Sequence, residues 1–221
     1  MVQVSKTPNS ATLPQFYGDF LKGKRLLTSS EIKILSATNK NSDLTWQNVW
    51  VDEKEFDPSL ITCCDIQGFL VLGRLSALTL KYHDLALVAG LYDSYLENVV
   101  IGDDCVVRNV RYLSNYKIGD RNILFNISEM SATNHAKFGN GILKEGEDES
   151  QRIWIGIGNE NDGRKVLAFE NMIPADAYIW SKYRDKKILQ QRFFEMTESQ
   201  FSKKRDTYGI TGNDVVIKNS T

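Results

Sequence analysis

The sequence predicts a mainly β protein, a solenoid of the hexapeptide-repeat, parallel β-helix kind, interrupted by an inserted module of a hairpin and helices. Three observations carry this. Tyr95 to Val110 (YLENVVIGDDCVVRNV) returns as Tyr112 to Ile127 (YLSNYKIGDRNILFNI), 17 residues further on, with seven identities in sixteen positions. The final GNDVVIKNST, from Gly212, aligns with GDDCVVRNVR from Gly102. Val215, Val216, Ile217 and Asn219 then fall on Cys105, Val106, Val107 and Asn109. Between these copies the pattern lapses into a Gly- and acid-rich stretch and then a helical one.

A period near 17 is too short for paired-helix repeats and suits a coil of three short strands, each about six residues with its corner. Ile-Gly-Asp marks a corner: the aliphatic residue points inward, Gly removes the Cβ, and Asp bonds to nearby backbone. β-branched residues fill the strand that follows. Equivalent positions of the two copies should then lie in adjacent parallel strands, Asn98 over Asn115 and Asn109 over Asn126, as amide ladders. Unrelated hairpins also turn on Gly-Asp, but they have no reason to repeat their asparagines.

The segments follow in order. Residues 1–59 form an N-terminal leading segment, with a short helix between 24 and 40 that opens on a capping box from Thr28 to Glu31. Trp46, Val49, Val51 and Phe56 suggest a strand leading into the coils. Residues 60–130 hold the coils; Gly68 and Gly73 are corner candidates, although Leu72-Gly73 does not phase with the later repeat. Residues 131–207 are the inserted module. Strands at 153–157 and 165–169 flank a turn at Asn161-Asp162-Gly163, and helices fill 174–206, broken near Arg184-Asp185. Trp180, Tyr183, Leu189, Phe193, Met196 and Phe201 make their apolar stripe. The coil resumes over 208–221. It stops in mid-pattern, which predicts that the natural protein is longer.

Composition narrows the function classes. Lys and Arg total 27 against 28 Asp and Glu, a net charge of -1. That balance gives no pull toward nucleic acid or an anionic membrane. The basic run Lys203-Lys204-Arg205 reads as a solvated helix end. No window approaches the ~20 apolar residues of a membrane span, and Met1 to Ser10 is polar. The three cysteines, Cys63, Cys64 and Cys105, offer no zinc spacing and behave as small apolar residues, which predicts a cytoplasmic protein.

Several pieces resemble a bacterial family known as domain of unknown function four-nine-five-four: LTSSEI at 27–32, FDP at 56–58, GLYDSYLENVVIGD at 90–103, LSNYKIGD at 113–120, HAKFGNG at 135–141 and NENDGRK at 159–165. The last two are the more specific. The resemblance implies a left-handed coil, against the usual right-handed crossover, and carries no established reaction. The chain departs from the family pattern in the acidic stretch 145–151.

Hexapeptide-repeat proteins are often acyltransferases or carry nucleotidyltransferase domains, and a histidine on a coil or loop commonly serves as their general base. Of the two histidines, His83 sits among apolar residues and reads as structural, whereas His135 lies where the coils give way to the module. His135 and Glu160 are therefore the candidate catalytic base and acid, and Asn140, Asn159 and Arg164 the candidate substrate contacts, with Arg164 suited to a phosphate or carboxylate. Acetyl-CoA or a sugar nucleotide is the candidate donor, a small molecule the expected substrate, and a homo-oligomer the expected assembly. The same asparagines, Glu160 and Arg164 could instead brace turns. GNG at 139–141 and GIG at 156–158 fall short of phosphate-loop patterns. Two classes stay open: a hexapeptide-type transferase, and a non-catalytic β-helix scaffold or binding surface.

Overall fold

The computed structural model describes residues 20–133, 137, 140–158, 163–205 and 208–220. In chain order its elements are β1 Lys24–Leu26, α1 Ser29–Leu35, β2 Lys40–Asn41, β3 Val49–Asp52, β4 Ile61–Thr62, β5 Asp65–Leu72, β6 Thr79–Tyr82, β7 Leu85–Val88, β8 Gly90–Tyr92, β9 Tyr95–Ile101, β10 Val106–Val110, β11 Leu113–Ile118, β12 Ile123–Ile127 and β13 Met130–Ser131. Then come β14 Ile155–Gly156, β15 Lys165–Val166, α2 Pro174–Lys182, α3 Lys187–Gln200, β16 Gly209–Ile210 and β17 Val216–Ser220. The chain divides into two compact units: residues 1–132 with 208–221, and residues 133–207.

The first unit is built from two sheets of parallel strands between which the chain alternates. One runs β3-β5-β9-β11-β13, with β1 antiparallel at its edge, β2 on β5 and β16 on β11. The other runs β4-β8-β10-β12-β17, parallel throughout. Leu96 pairs with Leu113 and Ile101 with Ile118 in the first; Val106 pairs with Ile123 and Val110 with Ile127 in the second.

The corners explain the repeat. Asn98, Asp104 and Asn109 all hold φ near +50°, as do Asn115, Arg121 and Asn126 one coil later. Most side chains resist that left-handed region, and Asn and Asp tolerate it best because their short polar groups bond locally. Left-handed backbone thus recurs at spacings of five or six residues along this stretch. The asparagines tie coil to coil: Asn109 Nδ2 donates to Asn126 Oδ1 at 2.8 Å, and Asn126 Nδ2 to Asn219 Oδ1 at 3.2 Å. A second ladder runs through the Gly-Asp corners. Arg74 N donates to Asp103, Asp103 N to Asp120 and Asp120 N to Asn213, each at 2.8 or 2.9 Å. Gly119 is required there, since an added Cβ would collide with the Gly212 carbonyl and Asn213 of the next coil.

Ile66, Leu70, Leu96, Val99, Val107, Leu113, Leu124 and Ile127 fill one continuous core between the sheets. Cys64 and Cys105 are buried in it, and burial pushes both thiols up to about 12. Outward, Phe69, Val71 and Val100 are covered by Phe20, Leu21, Trp50 and Tyr208.

Leu72-Gly73 does phase with the repeat. Asp65 pairs with Tyr95 and, past a one-residue register shift, Leu72 with Ile101, steps of 30 and 29 residues instead of 17. The surplus is mainly the antiparallel β6–β7 hairpin, together with one bulged residue between Gln67 and Leu70. The second irregularity is larger. Met130 and Ser131 pair with Leu113 and Ser114, and Gly209 and Ile210 pair with Tyr116 and Lys117. β13 and β16 are therefore two halves of one strand, split at the position over Asn115, where Asn115 Nδ2 donates to the Ala132 carbonyl at 2.9 Å.

In the second unit, among the described residues, the hairpin is shorter than the sequence suggests: Ile155 pairs with Val166 and Gly156 with Lys165, and Ile157 N donates to the Arg164 carbonyl. α2 and α3 pack Trp180 and Phe193 against Val166, Leu167 and Phe169. Of the expected apolar stripe, Tyr183 and Met196 stay exposed. Lys203, Lys204 and Arg205 are not a helix end either, because α3 stops at Gln200. Lys203 pairs with Glu198, and Arg205 donates to the Glu145 carbonyl.

Candidate functional site

His135, Asn159 and Glu160 lie outside the described residues. Asn140 and Arg164 are placed, both in the second unit. Asn140 is buried and its amide is fully engaged within its own turn: Nδ2 donates to the Lys137 carbonyl, and Oδ1 accepts from Ile142 N at 3.2 Å. That is the geometry of a turn brace. Arg164 is half-buried beside the β14–β15 hairpin, and its carbonyl accepts from Ile157 N at 2.9 Å.

Around Asn140 the chain buries more charge than its sequence signals. Lys137, Lys144 and Arg152 are all buried. Lys137 Nζ meets Glu147 Oε2 at 2.5 Å and the Gln151 carbonyl at 2.9 Å. Glu147 also accepts from Lys144 N at 2.7 Å. Burial pushes the Glu147 carboxyl up, but the Lys137 ammonium and the Lys144 N–H outweigh it and hold Glu147 below its ordinary range. Lys144 Nζ donates to the Ser202 and Lys204 carbonyls at 3.0 and 3.2 Å, tying the loop to the segment after α3.

Arg152 is the hub of this cluster. Its guanidinium pairs with Glu149 at 2.6 Å and Glu198 at 2.5 Å, donates to the Gly141 carbonyl at 2.6 Å, and lies over the Phe194 ring, 4.8 Å from its centre. Five donors in a rigid plane suit this many acceptors at once. Burial pushes the Glu198 carboxyl up as well; Lys203 and Arg152 reverse that and hold it low.

With its charges cross-paired, the cluster fixes the loop 137–152 against α3. The run from Lys144 to Arg152 gives no local sign of this pairing, because the partners Lys137 and Glu198 lie outside it in the sequence. Among the described residues no group of His, Cys, Asp and Glu could hold a metal ion, and no helix is long and apolar enough to cross a membrane.

Comparison with known proteins adds a family without a reaction. The family described as domain of unknown function (DUF4954) matches residues 24–221. An uncharacterized protein of Treponema pallidum (strain Nichols) is 40% identical over 194 residues, covering 88% of this chain. The chain spans about a quarter (26%) of that relative's length. No solved structure matches.

Proposed function

The chain belongs to the DUF4954 family, and from that premise we propose that its first unit is a parallel β-helix scaffold, left-handed as the resemblance implies, which displays the inserted second unit. One observation carries this reading. The chain leaves the first unit at Ala132 and returns at Tyr208, both at the position over Asn115, while the pairing on β11 and β12 continues on either side. An insertion at one corner leaves the ladder bonds of the coil to be made as before. Three free thiols, two of them buried, fit the cytoplasm as the compartment.

The test removes residues 132–208 and joins Ser131 to Gly209 through one Asn, the single residue that the pairing with Ser114 and Tyr116 leaves room for. The scaffold reading expects a β-rich circular dichroism spectrum and one cooperative unfolding transition. A shortened chain that is unfolded while the full chain folds would reject it.

The transferase is the second reading. It is favoured by Arg164, a half-buried cation four residues after Glu160 in the sequence. In it His135 takes the acceptor's proton, Glu160 returns one to the leaving group, and Arg164, with Asn159, holds a charged donor such as acetyl-CoA or a sugar nucleotide, while Asn140 stays closed on its own turn. Turnover of either donor by a full-length family protein, abolished by His135→Ala with folding intact, would establish it.

A further inference from the structure

The second unit carries a cleft of about 370 Å³ whose lining includes Trp154, Lys165, Trp180, Arg184, Lys187 and Phe194. Its size falls within the ~300–1,000 Å³ range of small-molecule sites. Among the described residues its lining holds Lys165, Arg184 and Lys187 and no carboxylate.

The aromatic part is rigid. Trp180 is buried and stacks on Phe193 with ring centres 4.8 Å apart and planes 8° apart. Phe194 is held from its other side by the Arg152 guanidinium. Trp154, by contrast, is 42% exposed and offers indole surface to solvent. An exposed indole beside cations offers a flat face on which a planar ring can stack.

The electrostatics point the same way. α3 begins at Lys187 with no side-chain cap and no acidic residue in its first turn. The positive end of a 14-residue helix therefore adds to the cations instead of being offset by an acid. Asp185 is the nearest acid in sequence, and its carboxylate pairs outward with Lys186 at 3.2 Å. The side chains of Arg184 and Lys187 form no ion pair with a described residue. Like charges gathered at a helix start repel one another, and a bound anion relieves that cost.

We propose that this cleft binds a nucleoside monophosphate, its base on Trp154 and its phosphate between Arg184, Lys187 and the start of α3. A free phosphate would use only the cations, and a nucleoside only the ring, so the two halves can be separated. The proposal does not need the scaffold reading, because every lining residue lies in the second unit.

The test is isothermal calorimetry on the full chain with adenosine 5′-monophosphate, adenosine and inorganic phosphate as separate titrants. The monophosphate should saturate in the submillimolar range and bind at least about tenfold more tightly than either fragment, a difference of ~1.4 kcal/mol. Its affinity should fall as salt rises from roughly 50 to 500 mM. The Arg184→Gln/Lys187→Gln double variant changes only exposed side chains and should weaken it by about tenfold or more. Trp154→Ala should weaken the monophosphate and spare phosphate, while Trp154→Phe, which keeps a flat ring, should retain binding. No saturable binding of the monophosphate, an unchanged affinity in the double variant, or a fragment binding as tightly as the whole would each overturn the proposal.

Discussion

Asn109 and Asn126, 17 residues apart, share one backbone conformation and one hydrogen bond: both hold φ near +53°, and the amide of the first donates to the second at 2.8 Å. Asn126 therefore does two jobs. Its backbone turns the corner, and its side chain links three coils. Asn126→Ala loses both and should cost about 2 kcal/mol in urea unfolding, while Asn126→Gly, which turns the corner freely, should cost about half that. Equal losses would mean that the corner conformation carries no strain worth relieving.

The thiols should separate cleanly. Cys63 stands exposed at a corner with φ +56°, whereas Cys64 and Cys105 are buried and pushed up to about 12. The thiolate is the reactive form. A disulfide-exchange reagent at neutral pH should modify one thiol in the native chain and three in denaturant, and Cys63→Ser should remove the native reaction. Rapid labelling of Cys105 without unfolding would contradict the packed core.

Acid should weaken the start of the first unit through Glu31. Its carboxylate accepts from the Arg25 guanidinium at 2.8 and 2.9 Å and from Thr28 N at 2.7 Å, which lowers it from 4.5 to about 2. A carboxylate lowered by folding stabilises the fold fully above its unfolded value, and that contribution disappears as pH falls through the folded one. The wild type should therefore lose melting temperature relative to Glu31→Gln between pH 4.5 and about 2, with a constant difference above that window. A gap between the two proteins that does not change across it would show that the pair is not linked to folding.

In the second unit, Glu147 and Lys137 form an ion pair with both side chains buried. Removing one partner strands the other charge, so Glu147→Ala should cost about 3–5 kcal/mol. Lys137→Met added to Glu147→Ala should recover much of that loss, which a double-mutant cycle in urea would measure. Additive losses would mean that the pair is held by the surrounding loop and not by its own attraction.

The repeat was legible because corners restrict residue type. Few side chains other than Asn, Asp and Gly accept the left-handed backbone, so Asn98, Asn109, Asn115 and Asn126 leave a periodic trace. Leu72-Gly73 could not be phased, since the β6–β7 hairpin and the bulge after Gln67 shift it out of step without altering its partners in space. Of the candidate site, Arg164 and Asn140 were picked by residue type. Type alone cannot separate an amide that closes its own turn from one that faces a ligand. The buried cations Lys137, Lys144 and Arg152 leave no local pattern in the sequence, because they bond to groups distant from them, such as Glu198.

The direction of the parallel pairing has a mechanical consequence. In the coil region each strand is held by the strands one coil before and after it, so tension applied through the first unit's last strand meets only one row of hydrogen bonds at a time. Strands paired in this order peel one at a time instead of rupturing at once. A coil without an insert should come away as a step of 17 residues, or roughly 60 Å of contour at ~3.4 Å per residue. The coil divided at Ala132 and Tyr208 should give one far longer release, as the second unit joins the thread.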